Sequence, residues 1–276
     1  MRIMYYLPLY YGIKTRAKGI FHKMSFMTNI LIPNLFFSVF YSSQEYNSIQ
    51  QFLIGIMAFT AMYSVYEVGY LQNDTFTIRL EERPTIRLDA IENKYIQENV
   101  LKIIAVKIIT ALFIPFLACC YFNISIINLF LLCISLLGLF LAYSIFNSYR
   151  NINCLYSIFF ILIFKYCSSP LLSIEIENVL PMLAAGTFCI PVERTIIFAA
   201  LGKYTEKFKH VIDIDTFRVK YFFIITLVMA GMSFFDSKLI GGLILSLYFF
   251  AIHTMSLILI RQTAIGISVK ERRKNK

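Results

Sequence analysis

Side chains that carry oxygen recur along one stripe of a helix in the first charged segment of the chain. At about 100° of rotation per residue, an α-helix running through this segment would place hydroxyl, amide and carboxylate groups on one face. The residues on that face are Tyr66, Tyr70, Asn73, Asp74, Thr77 and Glu81. Because Mg²⁺ prefers carboxylates together with phosphate oxygens, Asn73, Asp74 and Glu81 are candidate magnesium ligands. The alternative is a solvated loop whose carboxylates pair with arginines such as Arg83 and Arg87.

A second charged segment contains Lys203, Tyr204 and Glu206. Further ionisable residues lie inside or next to apolar runs, at Lys165, Glu193, Arg194 and Arg218. A charge inside a membrane helix costs roughly 2.5–3.5 kcal/mol on insertion scales, so these groups need partners or an aqueous cavity. They could line a cationic pocket for an anionic substrate. In the alternative interpretation, Glu193 and Arg194 neutralise each other as structural partners.

The composition excludes a soluble globular enzyme. Of the 276 residues, 58% are hydrophobic and 15% are charged, whereas about 25% of residues are charged in soluble domains. The mean hydropathy is +0.69. The formal net charge is +10. In a membrane protein, the positions of Lys and Arg indicate how the chain is oriented in the membrane. No nucleic-acid partner is expected.

Eight stretches are apolar enough to be membrane-spanning helices. They cover residues 25–42, 50–72, 99–122, 125–147, 154–175, 179–201, 219–235 and 238–260. The fold class predicted from them is all-α: a polytopic transmembrane helical bundle that forms one integral membrane domain over residues 1–276. Lys107 lies about two turns inside the third stretch and could snorkel to the membrane surface.

Basic residues concentrate on alternate connections between these stretches. One set of connections comprises an N-terminal arm (1–24), loops at 73–98 and 202–218, and a basic tail (261–276). The connections on the opposite side contain one basic residue, Lys238. Since Lys and Arg accumulate on the cytoplasmic side of a membrane, the first set and both termini are predicted to be cytoplasmic. An active site is then expected to open toward the cytoplasm, where both long charged loops lie.

The two charged loops resemble two motifs of the UbiA-type polyprenyl transferase superfamily. Asn73 and Asp74, followed by Glu81, resemble the Asp-rich motif that this family carries after its second span. The segment Lys203-Tyr204-Thr205-Glu206 follows the sixth predicted span. It is similar to an Arg-Tyr-Ala-Glu segment in the polyprenyl-phosphate phosphoribosyltransferase branch of the superfamily.

Some positions extend this resemblance and others depart from it. Tyr143, Ser144 and Lys165 resemble intramembrane positions of the same branch. Thr77 and Glu81 stand where the family pattern has Asp, so the first motif keeps fewer hard ligands for a metal ion. The family fold has nine spans, and a ninth would have to lie in the short basic tail.

The resemblance implies an enzyme of a bacterial cytoplasmic (inner) membrane, with eight or nine helices around a chamber that faces the cytoplasm. It would move 5-phosphoribose from phosphoribosyl diphosphate (PRPP) to a polyprenyl phosphate such as undecaprenyl phosphate, and release diphosphate. The implied cofactor is Mg²⁺, the implied catalytic residues are Asp74 and Glu206, and the product would supply ribofuranose for cell-envelope polysaccharides. The candidate substrate-binding residues are Tyr66, Tyr70, Arg83, Arg87, Lys165, Arg194, Lys203, Tyr204 and Arg218.

Two other functions are compatible with the sequence. An enzyme of the same fold could transfer a prenyl chain from its diphosphate to an aromatic or other small acceptor. A transporter of anionic lipids could use the loop carboxylates as ion-pair gates, and it would show no dependence on Mg²⁺. The sequence leaves the oligomeric state open, and a homo-oligomer is compatible with it.

Overall fold

A computed structural model describes residues 2–78, 87–149, 154–201 and 213–262, with side chains as far as Leu259. All regular structure in these ranges is helical apart from one isolated bridge between Ser42 and Ile174. The chain forms two compact units, Met1–Leu183 and Ala184–Lys276, and each is described by itself.

The first unit contains seven helices among the described residues. These are α1 (Tyr10–Arg16), α2 (Ile20–Phe26), α3 (Ile32–Phe40), α4 (Ser48–Gln72), α5 (Ala90–Phe122), α6 (Ile126–Ser148) and α7 (Cys154–Cys167). The three longest begin at side chains that cap free backbone N–H groups. Asn47 forms a capping box with Gln50 at the start of α4, and Asp89 and Ser125 cap α5 and α6. The sequence therefore fixes where each of these helices begins.

Six helices in the described part of the chain are long and apolar enough to cross a membrane. They are Ser48–Thr77, Ala90–Phe122, Ile126–Ser148, Ile176–Ala200, Ile214–Phe235 and Ser237–Leu259. This confirms the all-helical class predicted from the sequence, and six of the eight predicted spans correspond to helices with the length and composition of a membrane span.

The other two predicted spans have a different form in the structure. The stretch at 154–175 contains a helix of 14 residues, about 21 Å long at 1.5 Å per residue. That length is short of a hydrocarbon core of about 30 Å, and the helix is followed by a 3₁₀ turn at Ser169–Leu172. The stretch at 25–42 is helical as far as Phe40, through a π-helical turn at Met27–Leu31, but polar residues such as Asn34 lower its hydropathy.

Helix α4 lies at the centre of the first unit, with 72% of its most apolar window buried. Small residues allow its neighbours to approach closely. A Cβ atom added to Gly69 would overlap the ring of Tyr143 on α6, and one added to Gly55 would lie 2.8 Å from Cβ of Ser38 on α3. The Nδ2 of Asn147 also donates to the Gly69 carbonyl oxygen at 3.0 Å. The two glycines thus set the distances from α4 to α6 and α3.

We expect Gly69→Ala to destabilise the protein, because the added methyl group displaces the Tyr143 ring from a packed site. Overpacking of this kind costs typically about 1–3 kcal/mol. Gly231→Ala is the matched control, since nothing lies within 4 Å of a Cβ atom at that position. Thermal unfolding in detergent, followed by circular dichroism, should show a lower Tm for the first variant alone. Equal Tm values for the two variants would contradict this packing.

The second unit is built from apolar helices that pack through aromatic rings. Its helices are the end of α8 (Val179–Cys189), α9 (Pro191–Ala200), α10 (Ile214–Phe235) and α11 (Ile240–Gln262). Phe222 stacks on Phe249 with ring centroids 5.1 Å apart, and on His253 at 5.3 Å. A Cβ atom on Gly242 would lie 2.9 Å from both Ala185 Cβ and Met229 Sδ. Helices α8, α10 and α11 therefore meet at Gly242.

Candidate functional site

The carboxylate of Asp74 is surrounded by cationic and phenolic donors. Arg16 donates from Nη1 to Oδ2 at 2.7 Å and from Nη2 to Oδ1 at 2.9 Å, which makes the pair bidentate. Arg87 donates to Oδ1 at 3.0 Å, and the Tyr11 hydroxyl donates to Oδ2 at 2.8 Å. The neighbouring Asn73 amide donates to Oδ1 at 3.2 Å. Both carboxylate oxygens of Asp74 are therefore occupied by hydrogen-bond donors.

Three separate elements position this cluster. Asp74 lies in a π-helical turn, Asn73–Thr77, that continues α4, and such turns occur often at functional sites. Tyr11 and Arg16 come from α1 in the N-terminal arm. Arg87 lies just before the N-cap of α5. The cluster therefore connects the arm to the two ends of the segment between α4 and α5.

The protonation states in the arm favour anion binding. Burial and the neighbouring Asp74 charge raise the pKa of Tyr11 well above its usual value, so its phenol stays a neutral donor. Burial opposes the charge on Arg16, but its hydrogen bonds and ion pair with Asp74 outweigh that cost and raise its pKa. Two guanidinium groups thus face one carboxylate, and the cluster keeps an excess of positive charge.

A wall of tyrosine rings extends from this cluster. The ring centroids of Tyr66 and Tyr70 are 4.9 Å apart, and those of Tyr66 and Tyr143 are 5.1 Å apart. The guanidinium carbon of Arg16 lies 4.2 Å from the centroid of the Tyr70 ring. Lys165 Nζ lies 4.2 Å from the centroid of the Tyr66 ring. Cation–π contacts of this kind hold two positive charges beside one aromatic surface.

The structure thus brings together several residues that the sequence predicted for the site. With the neighbouring Asn73 they number six, and the other five are Tyr66, Tyr70, Asp74, Arg87 and Lys165. Tyr11 and Arg16 belong to the same cluster but were not predicted as site residues. The sequence signal for them is weak, because Arg16 is one of several basic residues in the N-terminal arm, where membrane orientation alone accounts for positive charge.

A buried ion pair holds the arm against α4 and α5. Lys107 Nζ lies 2.6 Å from Glu67 Oε2, and both side chains are 0% exposed. Lys107 also donates to the Leu7 carbonyl oxygen at 3.0 Å, and the Gly12 N–H donates to Glu67 Oε1 at 2.5 Å. A Cβ atom on Gly12 would lie 2.8 Å from the Tyr63 hydroxyl, so only glycine allows the arm to approach this closely.

The expectation that Lys107 reaches the membrane surface is therefore wrong. Its side chain is fully buried because Glu67 supplies a counter-charge on the adjacent helix. Glu67 was not predicted as a site residue. The sequence does contain a signal for both residues. Each is an isolated ionisable residue in an otherwise apolar run, and such a residue requires a partner.

We expect Lys107→Met to unfold or loosen the arm, because it leaves the Glu67 charge buried without a partner. Breaking a buried pair from one side costs about 3–5 kcal/mol, whereas replacing both members is often tolerated. The double variant Glu67→Gln/Lys107→Met should therefore recover part of the loss. Thermal unfolding and proteolysis of the arm measure the effect, with exposed Lys102→Met on the same helix as the control. A stable Lys107→Met variant with a protected arm would disprove the role of the pair.

The second unit contains its own cluster of charges. Glu193 is 1% exposed, and its carboxylate accepts from Arg218 Nε at 2.8 Å and lies 3.2 Å from Arg194 Nε. The sequence-based pairing of Glu193 with Arg194 is thus present, and Arg218 joins it. In the same unit, His253 Nε2 is buried and has no hydrogen-bond partner among the described residues.

Five predicted site residues lie outside the part of the chain that the structure describes. They are Glu81, Arg83, Lys203, Tyr204 and Glu206. The second motif as a whole therefore remains a prediction from the sequence.

In the structure, the described residues of the first motif, Asn73 and Asp74, are engaged with one another and with protein donors. Asp74 has donors on both oxygens, and Asn73 turns its amide nitrogen toward Asp74. Within the described ranges, no group of three His, Cys, Asp or Glu side chains could hold a metal ion. A metal at this place would require Asp74 to exchange an arginine for the ion, so the magnesium site stays a prediction that also depends on Glu81.

No protein-family model, characterised protein or solved structure matches the chain. The likeness to the UbiA-type superfamily rests on the motif residues named above.

Proposed function

We propose that this protein is a membrane transferase that moves 5-phosphoribose from PRPP to a polyprenyl phosphate and releases diphosphate. The observation that carries the proposal is the convergence of Arg16 and Arg87 on the buried carboxylate of Asp74, in the turn that follows α4. Both substrates are polyanions, and a planar guanidinium binds phosphate oxygens with the same two-pronged geometry that it uses for a carboxylate.

Asp74 would act as an internal anion that keeps the side chains of Arg16 and Arg87 ordered before a substrate binds. When a phosphate group enters, Arg16 and Arg87 can turn part of their donors toward it, because each guanidinium carries five N–H groups. The Tyr11 hydroxyl, now 2.8 Å from Asp74, supplies a neutral donor beside them. The ordered side chains lower the entropic cost of binding the substrate.

The transfer itself requires no general base. The bond between the anomeric carbon of ribose and the diphosphate oxygen breaks, and diphosphate leaves with the electron pair. An oxygen of the lipid phosphate, already anionic at neutral pH, forms the new bond to that carbon. The Asp74 carboxylate and the faces of Tyr66 and Tyr70 would stabilise the positive charge that develops on the ribose, while Arg16 and Lys165 attract the phosphates.

An apolar cavity between α6 and α7 supports a lipid acceptor. Its volume is about 450 Å³, and Leu141, Ile145, Phe160 and Phe164 are among the residues that line it. The same two helices carry Tyr143 and Lys165. A prenyl chain in this cavity would run beside the helices whose polar residues reach the tyrosine wall.

The wider assignment is part of the same proposal. It comprises eight or nine spans around a chamber open to the cytoplasm, both termini in the cytoplasm, a bacterial cytoplasmic membrane, and a lipid-linked product that supplies ribofuranose for envelope polysaccharides. A magnesium ion held with Glu81 and a charge-stabilising Glu206 come from the family resemblance. The steps described above use only residues that the structure describes.

Transfer of radiolabelled phosphoribose from PRPP to a short polyprenyl phosphate in detergent micelles tests the proposal. We expect Arg16→Gln and Arg87→Gln to lower transfer by about 100-fold each, since a charge-assisted contact to the substrate contributes up to about 3 kcal/mol. Lys94→Gln, an exposed basic residue on α5, should leave transfer unchanged. Transfer that is equally fast in all three variants would exclude the cluster as the substrate site.

The second candidate is prenyl transfer from a prenyl diphosphate to a small acceptor. The apolar cavity between α6 and α7 would hold the prenyl chain equally well in this reaction. Incubation with a prenyl diphosphate and an aromatic acid separates the two reactions. A prenylated aromatic product with no phosphoribosyl lipid would support the second candidate and exclude the first. Absence of both products, with uptake of an anionic lipid into vesicles, would instead support a transporter.

A further inference from the structure

A basic cavity lies between the N-terminal arm and the start of α5, beside the Asp74 cluster. Its volume is about 600 Å³, within the range of about 300–1,000 Å³ that is usual for small-molecule sites. Its charged lining residues are Lys14, Lys18, Lys23, Arg87, Asp89 and Glu92. Four cationic side chains therefore share the cavity with two carboxylates.

Both carboxylates are already used by the protein. Glu92 Oε1 lies 3.1 Å from Lys14 Nζ. Asp89 Oδ1 accepts the backbone N–H of Glu92 at 2.7 Å and caps α5. Arg87 is paired with Asp74, so Lys18 and Lys23 are the cations of this cavity that are left to consider.

Lys18 and Lys23 provide that remaining charge. Lys18 Nζ donates to the Arg87 carbonyl oxygen at 2.5 Å, which is a neutral acceptor. No carboxylate in the described ranges forms an ion pair with Lys18 or Lys23. An ammonium ion that faces a cavity without a counter-ion attracts anions from solution.

A turn at Gly19 brings these two lysines to the same cavity. Gly19 has φ +84°, a conformation that other L-residues rarely adopt, and nothing lies within 4 Å of a Cβ atom built on it. Directly after this turn, α2 exposes Ile20, Phe21 and Met24, with exposed fractions of 67%, 71% and 57%. The cavity therefore combines cationic walls with an adjacent apolar edge.

We infer that this cavity is a binding site for a phosphate monoester. The ligand is either the head group of a lipid, whose chains would lie along the apolar edge of α2, or a soluble phosphate ester. Lys18 and Lys23 bind the phosphate oxygens, and Arg87 connects the cavity to Asp74. The inference goes beyond the proposed function, because binding here requires no group transfer.

Isothermal titration of the purified full chain in detergent tests the site. The lipid probe is dioctanoyl phosphatidic acid, with dioctanoyl phosphatidylcholine as its control, and the soluble probe is glycerol 3-phosphate, with glycerol as its control. The test variant is Lys18→Gln/Lys23→Gln. The matched control is Lys94→Gln/Lys102→Gln, which removes the same charge from exposed positions on α5 outside this cavity.

We expect the test variant to weaken phosphate binding about tenfold or more, since a hydrogen bond to a charged group contributes roughly that much. The control variant should stay within about twofold of the parent protein. The single variant Lys23→Gln is a second test in case the double variant misfolds, because this substitution removes no side-chain hydrogen bond seen within the described residues.

Saturable binding of phosphatidic acid alone would assign the site to a lipid head group, and binding of both phosphate probes would assign it to soluble esters as well. Either result supports the inference. Binding that is absent, or that falls equally in the test and control variants, overturns it. Because the titration does not depend on transfer, its failure leaves the phosphoribosyl assay to be judged separately.

Discussion

The buried contact between Glu67 and Lys107 is the interaction on which the rest of the first unit depends. Two full charges without exposed surface are stable only when they are paired and their remaining donors and acceptors are satisfied. The N-terminal arm provides this satisfaction through the Gly12 N–H and the Leu7 carbonyl oxygen. The arm therefore lowers the cost of burying the two charges, and the ion pair in turn holds the arm in place.

The position of the arm in turn determines the charge of the candidate site. Tyr11 and Arg16 reach Asp74 only because α1 is fixed against α4. Without them, Asp74 would keep only Arg87 and Asn73, both on Oδ1, and Oδ2 would lose its donors. The cluster is thus assembled from residues far apart in sequence, and its excess positive charge depends on the N-terminal arm, which is separate from the six candidate membrane-spanning helices.

The sequence predicted the helical class and most residues of the candidate site, but it missed Tyr11 and Arg16. Tyr66, Tyr70 and Asp74 share one helical stripe, which periodicity detects directly. Arg16 lies 58 residues from Asp74, and no local pattern links a basic arm to a distant carboxylate. The stretch at 154–175 is apolar throughout its first part, yet Pro170 and neighbouring serines end α7 early, so hydropathy alone overestimated its length. Whether the second motif meets the first stays a prediction, because Glu206 lies outside the described residues.

The location of the ion pair on consecutive membrane helices also constrains how the chain enters the bilayer during synthesis. Glu67 and Lys107 are 40 residues apart, and either charge alone would oppose partition from the translocon by roughly 2.5–3.5 kcal/mol. If α4 waits at the translocon until α5 emerges, the two charges can enter as a neutral pair. The unit of insertion would then be this helical hairpin, and the arm, synthesised first, would dock last.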